Sequence, residues 1–181
     1  MSVVKSKRKE SQFEVFHHYY KVRKELTDLL LRDFGYSEDK SAKKLAKQFG
    51  GKPYAELSDT EKARHDKMQQ RNQAFEAWFV MDEREVIMGY LRNLGRCLFS
   101  ANEIYPQYED ELVQRRLFQE KALGYCTMLK QELQYAIETL PVDINKYTRF
   151  AQMLQTEIDL IKGWRRSDNR FKKTVTHRGC T

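Results

Sequence analysis

The chain offers few places to turn. Only three prolines, Pro53, Pro106 and Pro141, and eight glycines are spread over 181 residues. A sandwich or barrel of short strands needs turn residues every ~8–12 positions, so an all-β fold is nearly excluded. No β-branched run lies between helical stretches, which argues against a doubly wound α/β fold. The sequence therefore predicts an all-α protein. Its apolar fraction of 40% is low for a globular chain, but ten tyrosines, ten phenylalanines and two tryptophans supply bulk for a core. The length suits one domain.

Apolar spacings of three and four then locate the helices. Ser11-Gln12-Phe13-Glu14 has the form of a capping box. It predicts a first helix running to Phe34, with Val15, Tyr19, Val22, Leu26 and Leu29/Leu30 inward and Gly35 as the stop. Ser37 to Lys52 is lysine-rich, with only Leu45 and Phe49 as large apolar residues on a helical pattern. It predicts a short exposed helix within an insertion over about 37–73. A second capping box, Ser58 to Glu61, opens the next helix. One helix from Glu61 to Asn102 would be ~63 Å long, so the pattern predicts a kink near Met81 or a polar first half projecting from the body. A third core helix is expected from Glu109 to Leu140, with Leu123, Cys126, Leu129, Leu133, Ala136 and Leu140 inward. The fourth, capped by Asp143, would turn Ile144, Tyr147, Ala151, Leu154, Ile158 and Ile161 inward. All three prolines fall in connections. The expected architecture is an antiparallel four-helix bundle over 11–166, with a helical insertion between the first and second core helices. A basic arm (1–10) and a basic tail (167–181) flank it.

Catalytic patterns are incomplete. Glu14-x-x-His17 is half of a di-iron carboxylate motif, but no second copy lies on a core helix. His17 and His18 point ~100° apart on a helix and cannot chelate one ion together. Cys97 and Cys126 sit in apolar seams, as small hydrophobes do. Cys180 has no acid or histidine partner in a folded setting. Gly50-Gly51-Lys52 lacks the first glycine and the spacing of a phosphate loop. The expectation is a protein with no enzyme activity, no cofactor and no metal. Tyr19-Tyr20, Trp78-Phe79 and Tyr147/Phe150 could stack on bases, but such residues more often serve core or oligomer contacts.

Location of the soluble protein follows from similar arguments. No apolar run approaches the ~18 residues of a membrane span, and the basic N-terminal stretch lacks the apolar segment of a signal peptide. Three widely spaced cysteines fit a reducing compartment. A cytoplasmic protein is the expectation.

Charge is the informative feature. The first ten residues carry +3 and those from Lys162 onward +6, so of the net +7 the span 11–161 holds −2. In an antiparallel bundle the first helix begins where the fourth ends, so both basic segments would share one pole. Lys5, Lys7, Arg8, Lys9, Lys162, Arg165, Arg166, Arg170, Lys172 and Lys173 are the candidate phosphate-binding residues. Arginine's planar fork suits phosphate oxygens. The competing explanation is that cations belong at helix C-termini in any case.

Five stretches add a resemblance: Lys5-Ser6-Lys7-Arg8-Lys9-Glu10, Leu31-Arg32-Asp33-Phe34-Gly35, Ala101-Asn102-Glu103-Ile104-Tyr105-Pro106, Leu140-Pro141-Val142-Asp143-Ile144-Asn145-Lys146-Tyr147 and Ile161-Lys162-Gly163-Trp164-Arg165-Arg166-Ser167-Asp168. Together they resemble the accessory variability determinant proteins of diversity-generating retroelements, and a related bundle family encoded by intervening sequences in 23S ribosomal RNA genes. The resemblance covers most of the chain outside Ser37 to Gln73, a segment that makes it longer than the usual accessory protein. It implies a non-enzymatic bundle that assembles as a ring-like homopentamer, partners the retroelement's reverse transcriptase and binds its template RNA during mutagenic copying, with DNA as a further candidate partner. The alternative is a structural helical scaffold or protein-interaction adaptor without nucleic-acid binding.

Overall fold

The computed structural model describes residues 3–176, with side chains from Glu14 onward. Among these residues there are five α-helices and no strand: α1 (Val3–Leu31), α2 (Glu38–Gln48), α3 (Asp59–Glu103), α4 (Glu109–Thr139) and α5 (Asn145–Ser167). Short 3₁₀ turns occupy Asp33–Gly35, Tyr54–Glu56 and Asp168–Lys173. No helix among the described residues is long and apolar enough to cross a membrane.

Residues of α1, α3, α4 and α5 fill one apolar core. Each neighbour in that set runs antiparallel to the next. Tyr19 and Thr27 of α1 meet Leu91 and Met88 of α3. Phe79 and Tyr90 of α3 meet Tyr135 and Tyr125 of α4. Glu120 and Lys130 of α4 meet Arg165 and Gln155 of α5. His18 and Glu25 of α1 meet Glu157 and Arg149 of α5. Short connections at Tyr105-Pro106 and Pro141 force two of these reversals.

The helix starts follow local chemistry. Ser58 accepts from the Glu61 amide while Glu61 accepts from the Ser58 amide, closing the expected capping box. Glu111 accepts from the Gln107 and Tyr108 amides at the start of α4. Asp143 accepts from the Asn145 amide at the start of α5. The Ser11–Glu14 box, by contrast, starts nothing. α1 already runs from Val3, because the lysines, arginine and glutamate ahead of Ser11 are good helix formers and nothing there breaks the chain. The basic N-terminal arm is thus the first turns of α1.

No kink interrupts α3, which is 45 residues long, about 68 Å at helical rise. Phe79 packs on Tyr135, so α4 ends opposite about Phe75 and the polar residues before it run past the core. The insertion folds back on that extension. Leu45 and Leu57 are buried, Phe49 and Tyr54 pack against His65 at 5.4 and 5.0 Å, and the Tyr54 hydroxyl donates to Asp66 at 2.9 Å.

One close approach fixes the α1–α3 spacing. Tyr19 is buried and its hydroxyl donates to the Leu91 carbonyl at 3.0 Å. A Cβ on Gly95 would lie 2.2 Å from that hydroxyl oxygen and 2.6 Å from the ring carbon bearing it. Alanine normally gains up to ~1 kcal/mol over glycine inside a helix. Here overpacking of ~1–3 kcal/mol opposes it, because the Tyr19 ring is buried and its hydroxyl is held by the Leu91 carbonyl. Gly95→Ala should therefore lower the unfolding free energy, and adding Tyr19→Leu should recover part of the loss. Denaturant melts of the two single variants and the double variant measure this coupling. A more stable Gly95→Ala protein would refute it.

Candidate nucleic-acid interface

The buried positions of α4 read Leu112, Arg115, Gln119, Ala122, Cys126, Leu129, Leu133 and Ala136. Those of α5 and the turn after it read Tyr147, Phe150, Leu154, Glu157, Ile158, Ile161, Trp164, Asp168 and Phe171. Apart from Ile158, which widens the stripe, both sets step by three and four, the spacing of a seam facing a partner helix. Arg115, Gln119, Glu157 and Asp168 therefore point inward although they are polar.

Arg115 is the hub of this end of the molecule. Its Nε donates to Asp168 at 2.7 Å and its Nη2 to the other carboxylate oxygen at 3.2 Å. Gln119 donates to Asp168 as well, at 2.7 Å. The Arg115 Nη1 donates to the carbonyls of Ala101 and Ile104 at 2.9 and 2.6 Å. Those carbonyls belong to the last turn of α3, where intrahelical donors run out and a cation is favoured. The guanidinium also lies 5.0 Å from the Trp164 ring centroid. Phe171 is buried beside it and packs on Tyr105 at 5.4 Å. The turn at Asp168–Lys173 is thus seated on the body rather than free.

This inner lock dictates what lies outside. With Arg115 and Trp164 inward, Arg116 emerges beside Lys162, Arg165, Arg166 and Asn169, and these five line an open cleft of about 310 Å³. Arg116 Nη2 donates to Asn169 at 2.7 Å, and Arg165 is paired with Glu120. Asp168, the one acid of the segment after Lys162, is fully buried against Arg115, so it does not offset these cations at the surface.

Of the residues expected from sequence, the fold brings Lys162, Arg165 and Arg166 together. Lys172 and Lys173 are exposed at the end of the final turn but do not line the cleft, and Arg170 stacks on Phe171 at 4.8 Å. Lys5, Lys7, Arg8 and Lys9 lie on the first turns of α1, and their side chains fall outside the described residues, as do His177 and Cys180. Phe16 of α1 packs on Trp164 at 6.3 Å, so the beginning of α1 and the cleft lie at the same end. Arg116 and Asn169 escaped the sequence reading. Carrying the α4 seam back from Cys126 in steps of four and three reaches Arg115, which would have placed Arg116 at its edge.

Among the described residues, no three His, Cys, Asp or Glu side chains converge as metal ligands. Cys97 and Cys126 are buried, and burial pushes both thiols up. His18 Nδ1 lies 2.7 Å from the buried Glu157 carboxylate, whose pKa burial raises against the opposing effect of His18. A larger cleft, about 410 Å³, lies at the opposite end between the Asp33–Gly35 turn and α3. Its lining is net acidic: Arg84 pairs with Asp33 at 2.6 Å, Tyr36 and Ser41 donate to Glu76, and Glu38 adds a third carboxylate.

Fold and cleft together define an all-helical protein with a cationic groove at one end of its helices. Comparison with protein-family models, curated proteins and solved structures finds no match.

Proposed function

We propose that this protein is a non-enzymatic nucleic-acid-binding accessory factor whose core helices form an antiparallel four-helix bundle, with α2 as an insertion between the first and second of them. The observation that carries the reading is the gathering of Arg116, Lys162, Arg165 and Arg166 around one cleft, at the end where α1 begins. Four cations line the cleft with no carboxylate among its described lining residues, and Glu120 pairs with one of them at its edge, which favours a polyanion over a small neutral ligand. Binding is electrostatic, through phosphate neutralisation and counterion release, with little sequence readout.

The narrower role rests on the sequence resemblance: a cytoplasmic homo-oligomer, a pentamer by that resemblance, which assists the reverse transcriptase of a diversity-generating retroelement in copying template RNA. A second reading, a scaffold that docks a protein, is favoured by one observation. Phe75, Trp78 and Tyr135 are each about half exposed beside Phe79, away from the cationic end.

Fluorescence anisotropy with labelled RNA at 50 and 200 mM salt tests the first reading. Lys162→Glu/Arg166→Glu should weaken binding tenfold or more and flatten the log–log salt slope by ~0.7–0.9 per lost phosphate contact. Affinity unaltered by this double substitution would sink the role of the cleft. No binding by the native chain at either salt, with a stable protein complex instead, would favour the scaffold.

A further inference from the structure

Charge in the middle of the chain is not evenly spread. Residues 15–24 of α1 contain no acid, and neither do residues 86–102 of α3. These two stretches lie against each other: Phe16 stacks on Phe99 at 4.9 Å with rings 21° apart, and Tyr19 reaches Leu91. The fold therefore turns two acid-free segments, separated in sequence, into one surface.

That surface presents aromatic rings between cations. Tyr20 is 53% exposed and Phe99 42%, with ring centroids 6.5 Å apart. Buried Tyr19 lies under Tyr20 at 5.4 Å and keeps it from collapsing inward. Arg92, Arg96 and Phe99 follow one another at steps of four and three, so they share one face over about 10 Å of α3. Arg92 and Arg96 are exposed, and among the described residues neither is paired with a carboxylate; Arg96 donates to Asn93 at 3.3 Å. Across the groove, Arg23 lies against the Tyr19 hydroxyl and lowers its pKa against the rise that burial causes. Lys24 is exposed beside it.

We infer that this α1–α3 face is a platform for single-stranded nucleic acid, with bases stacking on Tyr20 and Phe99 while Arg23, Lys24, Arg92 and Arg96 meet the phosphates. The inference rests on the nucleic-acid reading above and specifies its partner. Stacking needs unpaired bases, because a duplex hides the faces of its bases and offers mainly phosphates to a helix surface. Phe16 joins the platform to Trp164 and hence to the cationic cleft, so a strand held on the platform continues toward Lys162 and Arg166.

The test uses the full chain with oligo(U), oligo(dT) and a duplex of equal length, at two salt concentrations. Tyr20→Ala should weaken single-strand binding about 5- to 100-fold and leave duplex binding within twofold. Tyr20→Phe, which keeps the ring, should bind as the native chain does. Arg92→Glu/Arg96→Glu, at exposed positions, should cut single-strand affinity at least tenfold and reduce the salt slope by ~1.4. Circular dichroism and melting of each variant report folding. Single-strand affinity preserved in both the tyrosine and arginine variants, but lost in Lys162→Glu/Arg166→Glu, overturns the platform and leaves the cleft standing. Equal losses for single strand and duplex in Tyr20→Ala overturn stacking. Absence of all binding by the native chain overturns the underlying reading as well. A difference between oligo(U) and oligo(dT) identifies which strand chemistry the platform prefers.

Discussion

Asp168→Ala should be among the most destabilising single substitutions in the molecule, lowering the unfolding free energy by about 3–5 kcal/mol. Asp168 is fully buried and accepts from Arg115 and Gln119. Removing it leaves the Arg115 cation buried without a counter-charge, and no water can reach in to replace the carboxylate at full strength. The pair as a whole has a different value. Desolvation of two charges offsets most of their attraction, so replacing both partners by apolar residues is often neutral or stabilising. Asp168→Leu combined with Arg115→Met should therefore recover most of the loss. Chemical denaturation of the single and double variants measures both. If Asp168→Ala changes stability by less than ~1 kcal/mol, the lock described at this end is wrong. Its expected effect on the cleft is indirect: Arg116 and Asn169 lose their fixed separation, so RNA affinity should fall although neither is altered.

The second large effect is a dependence of stability on pH. Glu83 is buried on α3, and one of its carboxyl oxygens has no hydrogen-bond partner. Burial pushes its pKa up to about 7, with smaller contributions from the neighbouring Glu132 carboxylate, a hydrogen bond to it, and Asp82. A carboxylic acid with a raised pKa prefers the folded state when protonated. Its stabilising contribution is therefore full below the ordinary glutamate value of 4.5 and is lost as pH rises through about 7. The interval corresponds to no more than about 3 kcal/mol. Glu83→Gln keeps the shape and a donor toward Glu132 but cannot ionise. Melts from pH 4.5 to 8.5 should show the native and Glu83→Gln proteins nearly equal at the acid end, separating as pH rises toward about 7 and keeping a constant gap above it, with the variant more stable by ~1–3 kcal/mol. Curves that stay parallel from pH 4.5 to 7 would show that Glu83 does not titrate in this range.

What the sequence revealed depended on whether a seam was apolar. The α1 seam, Val15 to Leu30, was legible because every inward position is a large hydrophobe or tyrosine. In α5 the signal drifted. Ile144 and Ala151 are apolar but exposed, whereas Phe150, Glu157, Trp164 and Asp168 point inward. Glu157 and Asp168 broke the apolar run at the positions that matter. The same happened in α4, where Arg115 and Gln119 continue the seam beyond Ala122 and the expected Leu123 is only partly buried. Periodicity of residue type misses a polar side chain whose partner arrives from another helix. Length left two readings open in α3, a kink near Met81 or a projecting polar first half, and the second is the one found. A helix of 45 residues looks too long for its neighbours, but α2 covers part of the surplus, and no proline or glycine near Met81 supplies a break.

The cationic cleft was half legible for a related reason. Lys162, Arg165 and Arg166 stand out as a charge run, whereas Arg116 is one cation among many on α4 until Arg115 is known to be buried. Tyr20 and Phe99 were harder still. Each sits beside core residues in sequence, and only the antiparallel pairing of α1 with α3 brings them together between two acid-free stretches.

The Arg115–Asp168 bond also sets an order on how the chain comes together during synthesis. The cation is made first and its carboxylate follows 53 residues later, after the whole of α5. Until then Arg115 sits in a seam whose other positions favour dry packing, and water must stay with it. A nascent chain can therefore zip the apolar end of its helices early, but the cationic end closes last. The cationic cleft, lined by Arg116 from α4 and by Lys162 to Asn169, is complete only once the chain has been read through Asn169.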